Sequence, residues 1–198
     1  MPPHLPTQLR TDRLLLRCWR AEDAAELALV LAANTARLGA WIPRQVAEAA
    51  PVPELARRLA GFADRFHADI EWRYGLFSPD EQLMLGEASL FPRSADGRVP
   101  LASADRVEIG YWLREDATGR GFATEAARAL VTVAATLPGV QRVEIRCDAR
   151  NERSAAVPRR LGFRLAAPVG DPAAARADAP SRDMLWTHEL PRVTVPDG

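Results

Sequence analysis

ATGRGFATEAA, residues 117–127, decides how this chain is read. It couples a two-glycine turn directly to the start of an amphipathic helix. Gly119 and Gly121 can adopt backbone dihedrals closed to other residues and let a ligand come close to the amides, while the first N–H groups of any helix lack intrahelical partners. An anion is therefore expected at this turn. The preceding run VEIGYWL (107–113) reads as a strand, and the following residues place Phe122, Ala126, Ala129, Leu130, Val133 and Leu137 on one helical face.

The spacing separates the candidate anions. A triphosphate loop ends in Gly-Lys-Ser/Thr, and no lysine follows either glycine. A dinucleotide fingerprint needs a third glycine where Thr124 stands and an acidic ribose ligand about twenty residues on, for which Glu144 is the near candidate. The loop resembles instead the pyrophosphate loop of the GNAT superfamily of acyl-CoA N-acetyltransferases, Gln/Arg-x-x-Gly-x-Gly/Ala at a strand-to-helix junction. Gly121 and Ala123 fill its last two fixed positions, and Thr118 stands at the first.

A second segment, RVEIRCDARNERSAAVPRRLGF (142–163), strengthens the resemblance. Val143, Ile145 and Cys147 alternate with polar residues as in a half-buried strand, and Asn151 sits where a helix N-cap is wanted. Asn151, Ser154 and Leu161-Gly162-Phe163 are similar to the Asn-x-x-Ser…Leu-Gly-Phe of the ribosomal-protein N-terminal acetyltransferase branch. The opening LRTDRLLLRCWRAEDAAEL (9–27) and the closing RDMLWTHEL (182–190) resemble that branch as well, so the likeness spans nearly the whole chain and is weakest over 34–80.

The resemblance implies an α/β (α+β) fold. Its central sheet would be mixed but mostly antiparallel, with about seven strands flanked by helices and two splayed parallel strands at 106–113 and 141–148. Acetyl-CoA would enter the gap as cosubstrate. The backbone of Ile109, Gly110, Tyr111, Trp112 and Leu113 would bond the pantetheine amides. Thr118, Gly119, Arg120, Gly121, Phe122 and Ala123 would hold the pyrophosphate, with Asn151 and Ser154 also on the cofactor side. An ammonium has no lone pair, so a base is needed. Glu108 is the first candidate, acting through water, and Glu87 the second. The wider superfamily often protonates the leaving thiolate with a tyrosine four residues before the Gly-Phe, where this chain has Pro158; Ser154 is the natural replacement. Pro158 also removes the amide that would bond the Ser154 carbonyl, which predicts a bend. In the superfamily the region between the first two helices lines the acceptor groove, which brings Trp41, Arg44, Trp72 and Tyr74 into question. The acceptor would be an amine-bearing small molecule or a protein N-terminus.

Composition is consistent with one domain over 1–198, its core at about 9–190. The chain has 198 residues, 47% hydrophobic, enough to bury a single core. With 26 basic and 26 acidic residues there is no global pull toward nucleic acid or membranes. No apolar run approaches roughly 18 residues, and MPPHLPTQLR does not read as a signal peptide, so a cytoplasmic protein is expected, monomeric or homodimeric. Cys18 and Cys147 read as reduced, buried thiols, and His4, His67 and His188 are scattered without metal or triad spacing. No metal is expected.

Along the chain the pattern predicts a strand at 11–19, a helix at 21–33 opened by Glu22 and Asp23, and a helix from Pro53 with the stripe Leu55, Leu59, Phe62 and Phe66. Strands follow at 72–78, 83–91 and 106–113, then the glycine loop and its helix, which Pro138-Gly139 stops. Residues 166–182, rich in alanine and proline, read as a surface connection, and no internal repeat stands out. Two other classes remain at this point: a non-catalytic acyl-CoA binding module, and a Rossmann-like nucleotide binder, which Thr124 and the long all-strand section before the loop disfavour.

Overall fold

The computed structural model describes residues 5–166 and 183–191; nearly all of the expected surface connection lies outside them. One sheet runs through the molecule in the order β1 (Gln8–Arg10), β2 (Leu15–Cys18), β3 (Trp72–Phe77), β4 (Met84–Ser94), β6 (Arg106–Leu113), β7 (Arg142–Asp148), β9 (Asp183–Glu189) and β8 (Arg164–Leu165), with the short β5 (Gly97–Arg98) paired to β4. Every pairing is antiparallel except β6 with β7. A Rossmann-like sheet, parallel throughout, is thereby excluded.

The sheet holds more strands than the expected seven because three of them are only two or three residues long. The expected first strand at 11–19 is confined to β2, Leu15–Cys18, which forms a hairpin with β1 just before it. Thr11 turns the chain between β1 and β2: its amide bonds the Leu14 carbonyl at 2.9 Å and its hydroxyl accepts from the Leu14 amide at 3.1 Å. A threonine side chain that offers the backbone a local partner interrupts a ladder in this way.

Helices cover both faces. On one side lie α1 (Ala24–Gly39), the short α2 (Arg44–Ala47) and α3 (Val52–His67). The α3 stripe buries Leu55, Leu59 and Phe66 as its spacing predicts, with Phe62 partly buried. On the other side lie α4 (Phe122–Ala134) and α5 (Glu152–Arg160). Two cores result. Leu15, Trp19, Phe77 and Met84 pack under α1 and α3, while Val107, Ile109, Val143 and Ile145 pack under α4 and α5.

The parallel pair carries a short identity that locates it. Arg-Val-Glu-Ile occurs at 106–109 and again at 142–145, and the two copies pair in register, Arg106 with Arg142 through Ile109 with Ile145. Register sets Glu108 opposite Glu144, an arrangement of like charges that is destabilising unless countered. Arginines counter it. Glu144, 1% exposed in its side chain, meets Arg106 at 3.2 Å and both Arg142 and Arg146 at 3.4 Å. Glu108 meets Arg93 at 3.0 Å and Arg146 at 3.1 Å.

Candidate functional site

Parallel pairing stops at Ile109 and Ile145, yet β6 continues to Leu113 and β7 to Asp148. Beyond that point β6 stays bonded to β4 and β7 to β9. The two strands therefore diverge, and their facing backbone edges no longer bond each other, so that a ligand bearing amides can bond them instead. A cleft of about 680 Å³ opens there. Its walls include Glu108 and the whole run Ile109, Gly110, Tyr111, Trp112 and Leu113.

At one end of the cleft lies the glycine loop. Gly119 has φ 74° and Gly121 φ 83°, the left-handed region, and Gly121 is the N-cap of α4. Among the described residues, no protein acceptor meets the amides from Gly119 to Thr124; the first amide of the helix to find one is that of Glu125, bonded to the Gly121 carbonyl at 3.0 Å. That cradle of free amides at a helix N-terminus suits a diphosphate. Thr118, Gly119, Gly121, Phe122 and Ala123 line the cleft. Arg120 is exposed beside it, its guanidinium 4.9 Å from the Phe122 ring centroid. The Thr118 hydroxyl donates to the Glu115 carbonyl at 2.7 Å, so it closes the preceding turn.

A clamp that sequence reasoning missed holds this loop. Arg13 donates through Nη1 to the Arg120 carbonyl at 2.9 Å and pairs with Glu125, in the first turn of α4, at 2.6 Å. The Thr11 hydroxyl donates to the same carboxylate at 2.6 Å. Hydrogen bonds from Thr11 and Arg13 outweigh burial and hold the Glu125 carboxyl below the usual glutamate range. The contact spans more than a hundred residues of sequence, so no local signal announces it.

The far wall is α5. Asn151 caps it as expected, its Oδ1 accepting from the Ser154 amide at 3.1 Å. Both residues line the cleft. Pro158 lies inside the helix, and the Ser154 carbonyl it leaves without an amide accepts instead from the Tyr111 hydroxyl at 2.9 Å. Cys147, on β7, also lines the cleft. Both cysteines are free but half-buried, which corrects the expectation of buried thiols, and burial pushes each thiol up from its ordinary value.

The remaining rim carries the acceptor candidates. Trp41 lines the cleft and is 41% exposed. Arg44 points to solvent and pairs with Glu48 at 3.0 Å, outside the cleft. Trp72 and Tyr74 are fully buried core residues; their polar atoms bond Asp69 and the Pro6 carbonyl, and neither reaches the cleft. Their aromatic bulk serves the core beneath β3, a reading that burial decides and sequence position does not. Glu87 borders the cleft but is 4% exposed and accepts from Trp19 at 3.0 Å, Arg73 at 2.8 Å and Ser89 at 3.0 Å.

Buried polar atoms give an independent test of fit. Three of the five that lack a partner among the described residues, Arg37 Nε, Trp112 Nε1 and Thr124 Oγ1, belong to residues lining this cleft. Groups of that kind are rare unless a ligand or water meets them. No group of three or more potential metal ligands occurs among the described residues, and no helix among them is long and apolar enough to cross a membrane.

Residues 13–164 match the family model of the acetyltransferase (GNAT) domain. The chain belongs to the GNAT acetyltransferase family. It is accordingly an N-acetyltransferase with acetyl-CoA as the acetyl donor, and the cleft, the amide cradle and the open strand edges fit that cosubstrate. A putative ribosomal N-acetyltransferase, YdaF, of Bacillus subtilis (strain 168) is 31% identical over 160 residues, covering 77% of this chain and 78% of that protein. The [ribosomal protein uS5]-alanine N-acetyltransferase of Escherichia coli (strain K12) is 30% identical over 158 residues, covering 79% of this chain and 77% of its own. Among solved structures the fold is shared with RimL, a ribosomal L7/L12 alpha-N-protein acetyltransferase in complex with coenzyme A, at TM-score 0.73 and 23% identity, over 94% of this chain and 97% of that one. The microcin C7 self-immunity acetyltransferase MccE, in complex with acetyl-CoA and AMP, superposes at TM-score 0.76 with 19% identity, over 94% and 98% of the two chains.

Proposed function

We propose that this GNAT enzyme acetylates the N-terminal amine of a protein, of the kind its relatives named for ribosomal proteins modify. The observation that carries this reading is the lining of the cleft. Trp41, Ile42 and Pro43, from the rim between α1 and α2, line the same cleft as Glu108 and the part of β6 that has left β7. An extended chain terminus entering from that rim brings its amine to the strand gap.

Acetyl-CoA supplies a thioester whose carbonyl is open to attack by a neutral amine. The chain must therefore remove a proton from the acceptor and stabilise the departing sulfur. Glu108 serves the first task, through a water. Its side chain is 16% exposed and borders the cleft, and Arg93 and Arg146 fix its orientation. Glu87 already accepts three hydrogen bonds in a nearly sealed position, so it orders the acceptor floor with Arg73 and Trp19. Ser154 serves the second task with its hydroxyl, and the amides of 119–124 anchor the donor's diphosphate.

The choice of a terminal amine over lysine follows from proton cost. Their ordinary pKa values differ by about 2.5 units, so deprotonating lysine costs roughly 3.4 kcal/mol more. With one water-mediated carboxylate as base, the terminal amine is the favoured acceptor. Coenzyme A release should be faster, by at least about tenfold in kcat/KM, with peptides bearing a free N-terminus than with the same peptides N-acetylated and carrying a single lysine. Equal rates would overturn the acceptor assignment. Glu108→Gln should lower kcat roughly 100-fold, the scale of one positioned base, and leave acetyl-CoA affinity unchanged. Full turnover by this variant at every pH from about 6 to 9 would remove Glu108 from the reaction.

A further inference from the structure

Tyr111 touches the cleft twice. Its backbone belongs to the part of β6 that has parted from β7, and its side chain crosses to α5. There the hydroxyl donates to the Ser154 carbonyl at 2.9 Å and accepts from the Ser154 hydroxyl at 3.2 Å. The carbonyl is available because Pro158 has no N–H to offer it. One tyrosine thus replaces a missing helix hydrogen bond and holds the only side-chain oxygen of the serine it repairs.

Building on the assignment of Ser154 to the departing sulfur, we propose that Tyr111 is the positioning residue of that serine and is part of the sulfur end of the site. When negative charge develops on sulfur, the Ser154 O–H turns to donate to it. The Ser154 oxygen then needs a donor of its own, and the single Tyr111 hydroxyl proton swings to it, across 3.2 Å, from the Ser154 carbonyl 2.9 Å away. A chain of donors in this order strengthens the terminal hydrogen bond. Burial raises the tyrosine pKa, so the hydroxyl keeps its proton throughout the working range and has it to donate. The superfamily position that Pro158 occupies holds no tyrosine here. The proline and the tyrosine on the opposite wall form one unit: the first frees the carbonyl and the second uses it to lock the serine.

A purely structural tyrosine and a positioning tyrosine predict different results. The first test compares the affinities of coenzyme A and desulfo-coenzyme A by calorimetry near pH 9.5, where much of the thiol is ionised. Wild type should prefer the sulfur compound by about tenfold, the scale of one hydrogen bond to a charged atom. Tyr111→Phe should cut that preference to the level of Ser154→Ala, and with a peptide acceptor it should lower kcat about tenfold while KM for acetyl-CoA stays within about twofold. The second test is the double variant Tyr111→Phe with Pro158→Ala, which returns an amide to the Ser154 carbonyl. Its melting temperature should recover from the loss seen in Tyr111→Phe, but the sulfur preference and kcat should not. Recovery of all three would mean that Tyr111 only repairs the helix, and the inference would fall. Equal wild-type affinity for both compounds would overturn the placement of sulfur at Ser154 and the inference with it. Binding of neither compound would instead overturn the reading of the cleft as a donor site.

Discussion

Replacing Gly121 with valine is expected to erase the thermal stabilisation that acetyl-CoA gives the wild-type protein. At about a hundred times its dissociation constant the ligand contributes roughly 2.7 kcal/mol, or some 5 to 10 °C for a domain of this size. NAD at the same concentration should contribute nothing. The cause lies in the backbone and owes little to crowding. A Cβ at 121 has room, since its nearest neighbour is Arg13 Nη2 at 3.4 Å. What valine cannot hold is φ 83°, where a β-branched side chain is a genuine outlier. The left-handed conformation costs an L-residue about 1–2 kcal/mol, so the protein still folds, with a melting temperature lower by a few degrees. The loop relaxes to negative φ instead, and the amides from Gly119 to Thr124 no longer converge. A full acetyl-CoA shift in this variant would show that the diphosphate is held elsewhere.

Much of this architecture was legible because its signals are local. The 3.6-residue stripe of α3 and the glycine loop leading into α4 name their elements without help from tertiary structure. So does the Asn151 cap, three residues before the amide it accepts. The family resemblance added the splayed pair, and the pairing of β6 with β7 agrees with it. Other features were out of reach for a physical reason. The clamp of Thr11 and Arg13 on Glu125 and the bond from Tyr111 to Ser154 join residues far apart in sequence, through side chains whose partners only the fold selects. Trp72 and Tyr74 show the converse. Aromatic residues near a binding groove look like ligand contacts in a sequence, and burial alone assigns them to the core.

The second large effect is expected where no chemistry occurs. Gly86, on β4, pairs with Leu76 on one side and Leu113 on the other. Its φ is 154°, and a Cβ there would lie 2.1 Å from the Trp112 carbonyl oxygen and 2.8 Å from the Leu113 Cα. Both obstacles are backbone, so no side-chain rotation relieves them. This close approach lets the end of β6 remain on β4 while it leaves β7, and that departure opens the cleft. Gly86→Ala must therefore push Trp112 and Leu113 toward the gap or break the end of the β4–β6 ladder. Either outcome combines backbone strain with overpacking, on the order of 3–5 kcal/mol, and should lower the melting temperature by roughly 10 °C or more. Acetyl-CoA affinity should fall as well, because the displaced residues line the cleft proposed to take it. The two measurements are linked by the geometry: a variant that melts like wild type and binds acetyl-CoA normally would mean that β4 does not brace β6, and that another contact must hold the two parallel strands apart.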